Sequence, residues 1–233
     1  MNNETNMSGE QAVTEQDTSA GRAIEHDSFA IIDREAGPHA YDPGQWSIVR
    51  RMIHASADFE MNGLTAFHPQ AVPAGLAALR QSGRPVVADV GMILAGLSGA
   101  RLARFGLTPY QFIADPDAIA QAQAEGTTRA VQAMRKAQGL GLLDGAIIGI
   151  GNAPTALLEV LRLIAEEGVR PALVVGMPVG FVSAAESKAL LAQVTEVPWI
   201  TVQGRKGGST LVVAAIHALL ALAAEEAGGA QAS

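Results

Sequence analysis

Four short apolar runs in this chain each end in a cluster of small residues, and each cluster opens onto a helical pattern. The clusters are Asp89-Val90-Gly91, Gly149-Ile150-Gly151-Asn152-Ala153-Pro154-Thr155, Gly176-Met177-Pro178-Val179-Gly180 and Gly204-Arg205-Lys206-Gly207-Gly208-Ser209-Thr210. Strands that alternate with helices pair in parallel through right-handed crossovers. The pattern therefore predicts an α/β fold: a single three-layer domain, a mainly parallel sheet flanked by helices. Strands are expected at 64–67, 86–88, 111–114, 146–150, 172–175 and 199–202. Helices are expected at 44–61, 70–82, 115–137, 154–167, 184–192 and 208–225. In the second of these, Val72, Leu76 and Leu79 fall at the spacing of one buried helical face. Residues 1–25 read as a disordered leader, 26–225 as the domain and 226–233 as a flexible tail.

Composition narrows the function. With 48% hydrophobic and only 4% aromatic residues, the core is built of Ala, Leu, Ile and Val. The net charge of −7 argues against non-specific nucleic-acid binding, although local arginines can still hold an anionic ligand. There is no cysteine, so disulfides, thiolate metal sites and a cysteine nucleophile are excluded. The polar first residues form no secretory signal, and no run is read as approaching the ~18 apolar residues of a membrane span. A cytoplasmic protein is expected.

In a sheet of this kind ligands bind outside the carboxyl ends of the strands. Glycines there let a ligand approach the backbone, and free N–H groups of the next helix attract anions. Gly149-Ile150-Gly151 lacks the third glycine of a dinucleotide fingerprint, and 204–210 lacks Walker spacing. The loops make Gly151, Asn152, Gly180, Arg205 and Ser209 expected ligand contacts; singly, each glycine could be only a turn. Among the five histidines no two share metal-ligand spacing, so no metal site is expected. His26 borders the leader, His39 sits in a Gly-Pro loop and His217 lies in an apolar helix, while His68, at a strand end before Pro69, fits a solvated turn better than a pocket lining. His54 lies on the expected 44–61 helix, on one stripe with Ser47, Arg51 and Asp58, beside an apolar stripe of Trp46, Val49, Ile53 and Ala57. On that stripe Asp58 would raise its pKa and Arg51 would lower it.

Five stretches, in order, resemble the precorrin-8X (cobalt-precorrin-8) methylmutases. They are Ser28-Phe29-Ala30-Ile31-Ile32, Arg51-Met52-Ile53-His54-Ala55, Ile148 to Ala156, Gly176 to Val182 with Ala185-Glu186-Ser187-Lys188, and Gly204 to Ser209. The resemblance implies a homodimer with active sites near the subunit interface. It also implies a 1,5-sigmatropic methyl shift from C-11 to C-12 of a corrin-type tetrapyrrole, giving hydrogenobyrinate from precorrin-8X or cobyrinate from cobalt-precorrin-8. The family's catalytic histidine corresponds to His54, and its substrate contacts to Ser28, Arg51 and Arg129. Such a migration calls for no cofactor and no metal from the protein, only a held macrocycle and a proton donor, a task that suits histidine. Two other classes use the same loops: a corrinoid carrier, which has no need of a poised histidine, and a nucleotide-dependent enzyme, which lacks its fingerprints here.

Overall fold

The computed structural model describes residues 18–231. The chain divides into two compact units, Met1–Gly37 and Pro38–Ser233. The first contains α1 (Ser19–Glu35), capped by the Thr18 hydroxyl, which accepts from the Gly21 N–H at 3.0 Å. The leader expected to reach residue 25 thus gives way to helix by Ser19. Polar composition hid this helix, since it has little amphipathic pattern to read. Residues 1–17 of the expected leader lie outside the described residues.

The second unit runs α2 (Pro43–Ser56), α3 (Met61–Leu64), β1 (Thr65–Phe67), α4 (Ala71–Leu79), β2 (Pro85–Ala88), α5 (Gly91–Gly96), α6 (Gly99–Arg104) and β3 (Thr108–Tyr110). It continues with α7 (Pro116–Glu125), α8 (Arg129–Gly139), β4 (Ile147–Ile150), α9 (Pro154–Glu166), β5 (Leu173–Gly176), α10 (Ala184–Leu191), β6 (Trp199–Val202) and α11 (Ser209–Gln231). The strand order is β1-β6-β5-β4-β2-β3, parallel throughout except for β1, which runs antiparallel to β6. Strands β4, β5 and β6 are buried along their whole length, which is why they read as unbroken apolar runs.

Successive strand residues face opposite layers. Val87, Ile148, Ile150 and Val174 join the core built by α8, α9 and α10. Gly149 and Leu173 face the other layer, where Ile93, Val212, Ile216 and Leu219 pack. There α11 packs on α2, α4 and α5. A Cβ on Gly149 would stand 2.9 Å from Val212, so glycine lets α11 cross close to β4.

Several local readings change. The third strand is Thr108–Tyr110 rather than 111–114; its Pro109 is tolerated because β3 is an edge strand. Phe112 and Ile113 pack on the core as loop residues instead. The helix expected over 115–137 breaks at Gly126, whose φ of 64° ends α7, and Thr128 then caps α8 through the Val131 N–H. Helices α5 and α6 were not anticipated. The tail expected from 226 continues α11 as far as Gln231.

Helix α11 also corrects the expectation about membrane-length runs. Over Ser209–Gly228 its mean hydropathy is 1.7, enough by length and composition to cross a bilayer, and half of that window is buried inside the fold. Its His217 Nε2 accepts from the Ser98 N–H at 3.1 Å, fixing it to the start of α6.

Candidate active site

The parallel strands deliver their carboxyl ends to one edge of the sheet, and the connecting loops there are laced together. Met177 N–H donates to Ile150 O at 2.8 Å, Gly208 N–H to Met177 O at 2.8 Å and Gly180 N–H to Arg205 O at 3.2 Å. Thr201 Oγ1 donates to Gly176 O at 2.6 Å. A Cβ on Gly207 would lie 2.3 Å from Met177 O, so only glycine permits the loops after β5 and β6 to meet.

Asp89, fully buried at the end of β2, organises the loop after β4. Its Oδ1 accepts from Gly151 N–H at 3.1 Å, and its Oδ2 from Asn152 and Ala153 N–H at 2.8 and 2.7 Å. Burial pushes its pKa up while those three N–H groups pull it down. The anion at the start of α9 is therefore the chain's own carboxylate: the N–H groups expected to be free for a ligand are taken. Pro154 occupies the first helical turn of α9 as its sequence suggests. Gly151 also differs from expectation in its surroundings. A Cβ there would lie 2.7 Å from both the Cα and N of Ser209, so packing against α11 explains the glycine. Sequence reading saw Asp89 only as part of a turn. A carboxylate directly after a buried strand, with a glycine loop on the neighbouring strand, is the signal that would have singled it out.

The histidine helix α2 starts with a capping box, in which Asp42 and Gln45 exchange side-chain-to-backbone bonds around Pro43. It ends at Ser56, and Ala57 turns left-handed with φ 53°. Asp58 is consequently off the helical stripe. Rather than facing His54, its carboxylate takes the Lys206 ammonium, which also holds Glu60 at 2.9 Å. The Lys206 hydrogen bond lowers the Asp58 pKa, and the same bond raises that of Lys206. This ion pair ties the end of α2, with exposed His54 in its last turn, to the loop after β6. Arg51, half-buried, stands on the same helical face three residues earlier.

Arg129 opens α8. The hydroxyls of Thr128 and Thr155 lie 3.0 Å apart, which sets the starts of α8 and α9 side by side at this edge. Gly151, Asn152, Gly180, Arg205 and Ser209 are all in the laced loops. Ser28 belongs to the first unit, where its hydroxyl donates to Ile24 O at 2.8 Å. His68 lies at the opposite, amino-terminal edge, where its Nδ1 accepts from Gln70 N–H. Apolar side chains also stand out at the carboxyl edge: Met92 is 70% exposed, Phe181 83% and Val182 82%, with the Arg205 guanidinium 5.5 Å over the Phe181 ring. Among the described residues the non-glycine residues with left-handed backbone are Ala57 and Ser183, both beside this site. Such conformations concentrate where structure over-determines them, functional sites above all.

The sequence model of the precorrin-8X methylmutase family matches residues 23–222. The chain belongs to this family. It is 51% identical over 215 residues to the cobalt-precorrin-8 methylmutase of Leptospira interrogans, a match covering 90% of this chain and 97% of that protein. To the precorrin-8X methylmutase of a Sinorhizobium species it is 38% identical over 200 residues, 85% of this chain and 93% of that protein. The crystal structure of the precorrin-8X methylmutase of Thermus thermophilus superposes with a TM-score of 0.83 at 53% identity, covering 88% of this chain and 98% of that one. As a methylmutase the protein is an isomerase, moving a methyl group within one molecule. Among the described residues no cluster of His, Asp and Glu could hold a metal ion, and the one buried carboxylate at the edge is spent on backbone N–H groups.

Proposed function

We propose that the protein serves cobalamin biosynthesis by the 1,5-sigmatropic shift of the C-11 methyl to C-12, converting precorrin-8X to hydrogenobyrinate or cobalt-precorrin-8 to cobyrinate. The observation that carries this reading is the mixed character of the carboxyl edge. Exposed Met92, Phe181 and Val182 offer an apolar surface to a flat macrocycle, and Arg205 and Arg129 offer guanidinium groups to its peripheral carboxylates. Arginine binds carboxylates in a bidentate fashion that lysine cannot match. The two cations of the loop after β6 differ accordingly. Lys206 is engaged by Asp58 and Glu60, whereas Arg205 rests on an exposed ring.

His54 acts as the proton donor. The migrating methyl leaves C-11 and bonds to C-12, and the double bonds of the ring rearrange. A proton lent by the imidazolium stabilises the rearranged system, and one is released in return, because substrate and product are isomers. Arg51, on the same face of α2, orients a side-chain carboxylate of the substrate. Asn152, Gly180 and Ser209 complete the contacts of this edge, with Gly151 supporting Ser209 from beneath. The exposed Phe181–Val182 loop suits assembly of two copies around their active sites, and the enzyme works in the cytoplasm as a homodimer needing no cofactor.

The test uses precorrin-8X and cobalt-precorrin-8 carrying a ¹³C label in the C-11 methyl. The labelled carbon should move to C-12 in one or both, seen by NMR together with the visible spectrum of the product. Retention of the macrocycle with its label still at C-11 would instead make the protein a carrier.

A further inference from the structure

Lys188 is buried in the second unit, 2% exposed, and among the described residues its ammonium meets no carboxylate: it donates to the backbone carbonyl of Lys206. Burying a cation with so little compensation works against folding. Burial pushes its pKa down to about 8. A residue that costs stability where a methionine would fill the same space calls for another reason to be there. The surrounding geometry supplies one. Lys206, whose carbonyl Lys188 holds, projects its own ammonium to Asp58 and Glu60, just beyond the last turn of α2. Its neighbour Arg205 offers its carbonyl to Gly180. The next residue, Gly207, is wedged against Met177 O and Pro178. The backbone at Lys206 is therefore fixed from below by α10 and reaches across to the histidine helix above.

We propose that Lys188 is a positioning residue: through Lys206 and Asp58 it sets the end of α2, and hence His54, against the Arg205 loop that receives the substrate. This rests on the reading of function given above. The relay runs Lys188 ammonium to Lys206 carbonyl, then Lys206 ammonium to Asp58 carboxylate, then Asp58 to the left-handed turn that closes α2. Its consequence is kinetic. The substrate's carboxylates are gripped by the guanidinium groups of Arg51, Arg129 and Arg205 and not by the relay's own side chains, so loosening the relay leaves that grip in place and displaces the proton donor. Misplacement of a catalytic group by about 1 Å can cost ~10²-fold in rate.

The experiment compares wild type, Lys188→Met, Asp58→Asn and the double variant, measuring kcat, KM and Tm with precorrin-8X and its cobalt form. Methionine matches lysine in volume and has no charge to bury. The proposal expects a Tm equal to or above wild type, a kcat lower by roughly 10- to 100-fold and an unchanged KM, the signature of an interaction lost in the transition state alone. It further expects the double variant to be no slower than Lys188→Met, because both changes cut one relay. Wild-type kcat in Lys188→Met, a Tm well below wild type, or independent, multiplying losses in the double variant would each overturn it, making Lys188 a packing residue. No turnover of either substrate by wild type would overturn the functional reading and this inference together, whereas turnover with an unaffected Lys188→Met overturns only the inference.

Discussion

Replacing Asp89 by alanine isolates what the buried carboxylate does. The variant removes the acceptor of three N–H groups at the head of α9. Of these, the Gly151 N–H is buried, so leaving it unpaired costs about 1–3 kcal/mol. Asn152 is exposed and Ala153 half-buried, so water can replace part of their bonding, at about 0.5–1.5 kcal/mol each. Relief of the carboxylate's own desolvation, the cause of its raised pKa, offsets part of this loss. The net expectation is roughly 2–4 kcal/mol of destabilisation. For a domain of this size each kcal/mol shifts Tm by about 2–4 °C, so Asp89→Ala should melt about 4–16 °C below wild type. Differential scanning calorimetry, with urea unfolding as a second measure, reads this directly. Asp89→Asn, which keeps one acceptor oxygen, should fall between the two. An Asp89→Ala protein melting with wild type would refute the view that Asp89 fills the anion site at the start of α9.

Three further outcomes follow from the same geometry. Gly151→Val sets side-chain carbon against the backbone of Ser209 and should lower stability by about 1–3 kcal/mol or more, measured by urea unfolding; normal melting would contradict the packing role. Asp58 has a lowered pKa, so its pair with Lys206 contributes above the unfolded value of 3.8 and is lost as pH falls through the lower folded value. Asp58→Asn should therefore lower Tm slightly near neutrality and lose that difference in strong acid, the effect being small because both partners are partly solvated. Arg205→Ala should weaken hydrogenobyrinate binding by roughly 10- to 100-fold, and flatten its salt dependence, in absorbance titrations.

What the sequence disclosed depends on how local each cause is. Strands β4 and β5 were legible because burial on both faces leaves an unbroken apolar run. The glycine loops marked the sheet edge for a similar reason, since a close approach removes the side chain whatever approaches. Strand β3 was misplaced by three residues because an edge strand through Pro109 carries no such run, while Phe112 and Ile113 imitate one from a loop. The hidden parts join distant positions. Asp89 meets Gly151 across neighbouring strands, and Lys206 meets Asp58 across 148 residues of chain. No periodicity in one segment records such a meeting. Pairing Asp58 with His54 was reasonable for a continuous helix and failed because Ala57 turns the chain out of it. Arg129 falls inside the long helix expected over 115–137 because the apolar pattern runs on across Gly126 and Thr128, the glycine stop and threonine cap that end α7 and open α8.

In the proposed function this edge holds the macrocycle while His54 supplies a proton. Single-turnover conversion in His54→Ala, with bound substrate confirmed by its visible spectrum, decides this. General acid catalysis is worth about 10²- to 10⁴-fold, so the variant should retain the macrocycle and rearrange it slower than wild type by that factor. Conversion at the wild-type rate would contradict the account, leaving a site that aligns the methyl group without an acid at position 54.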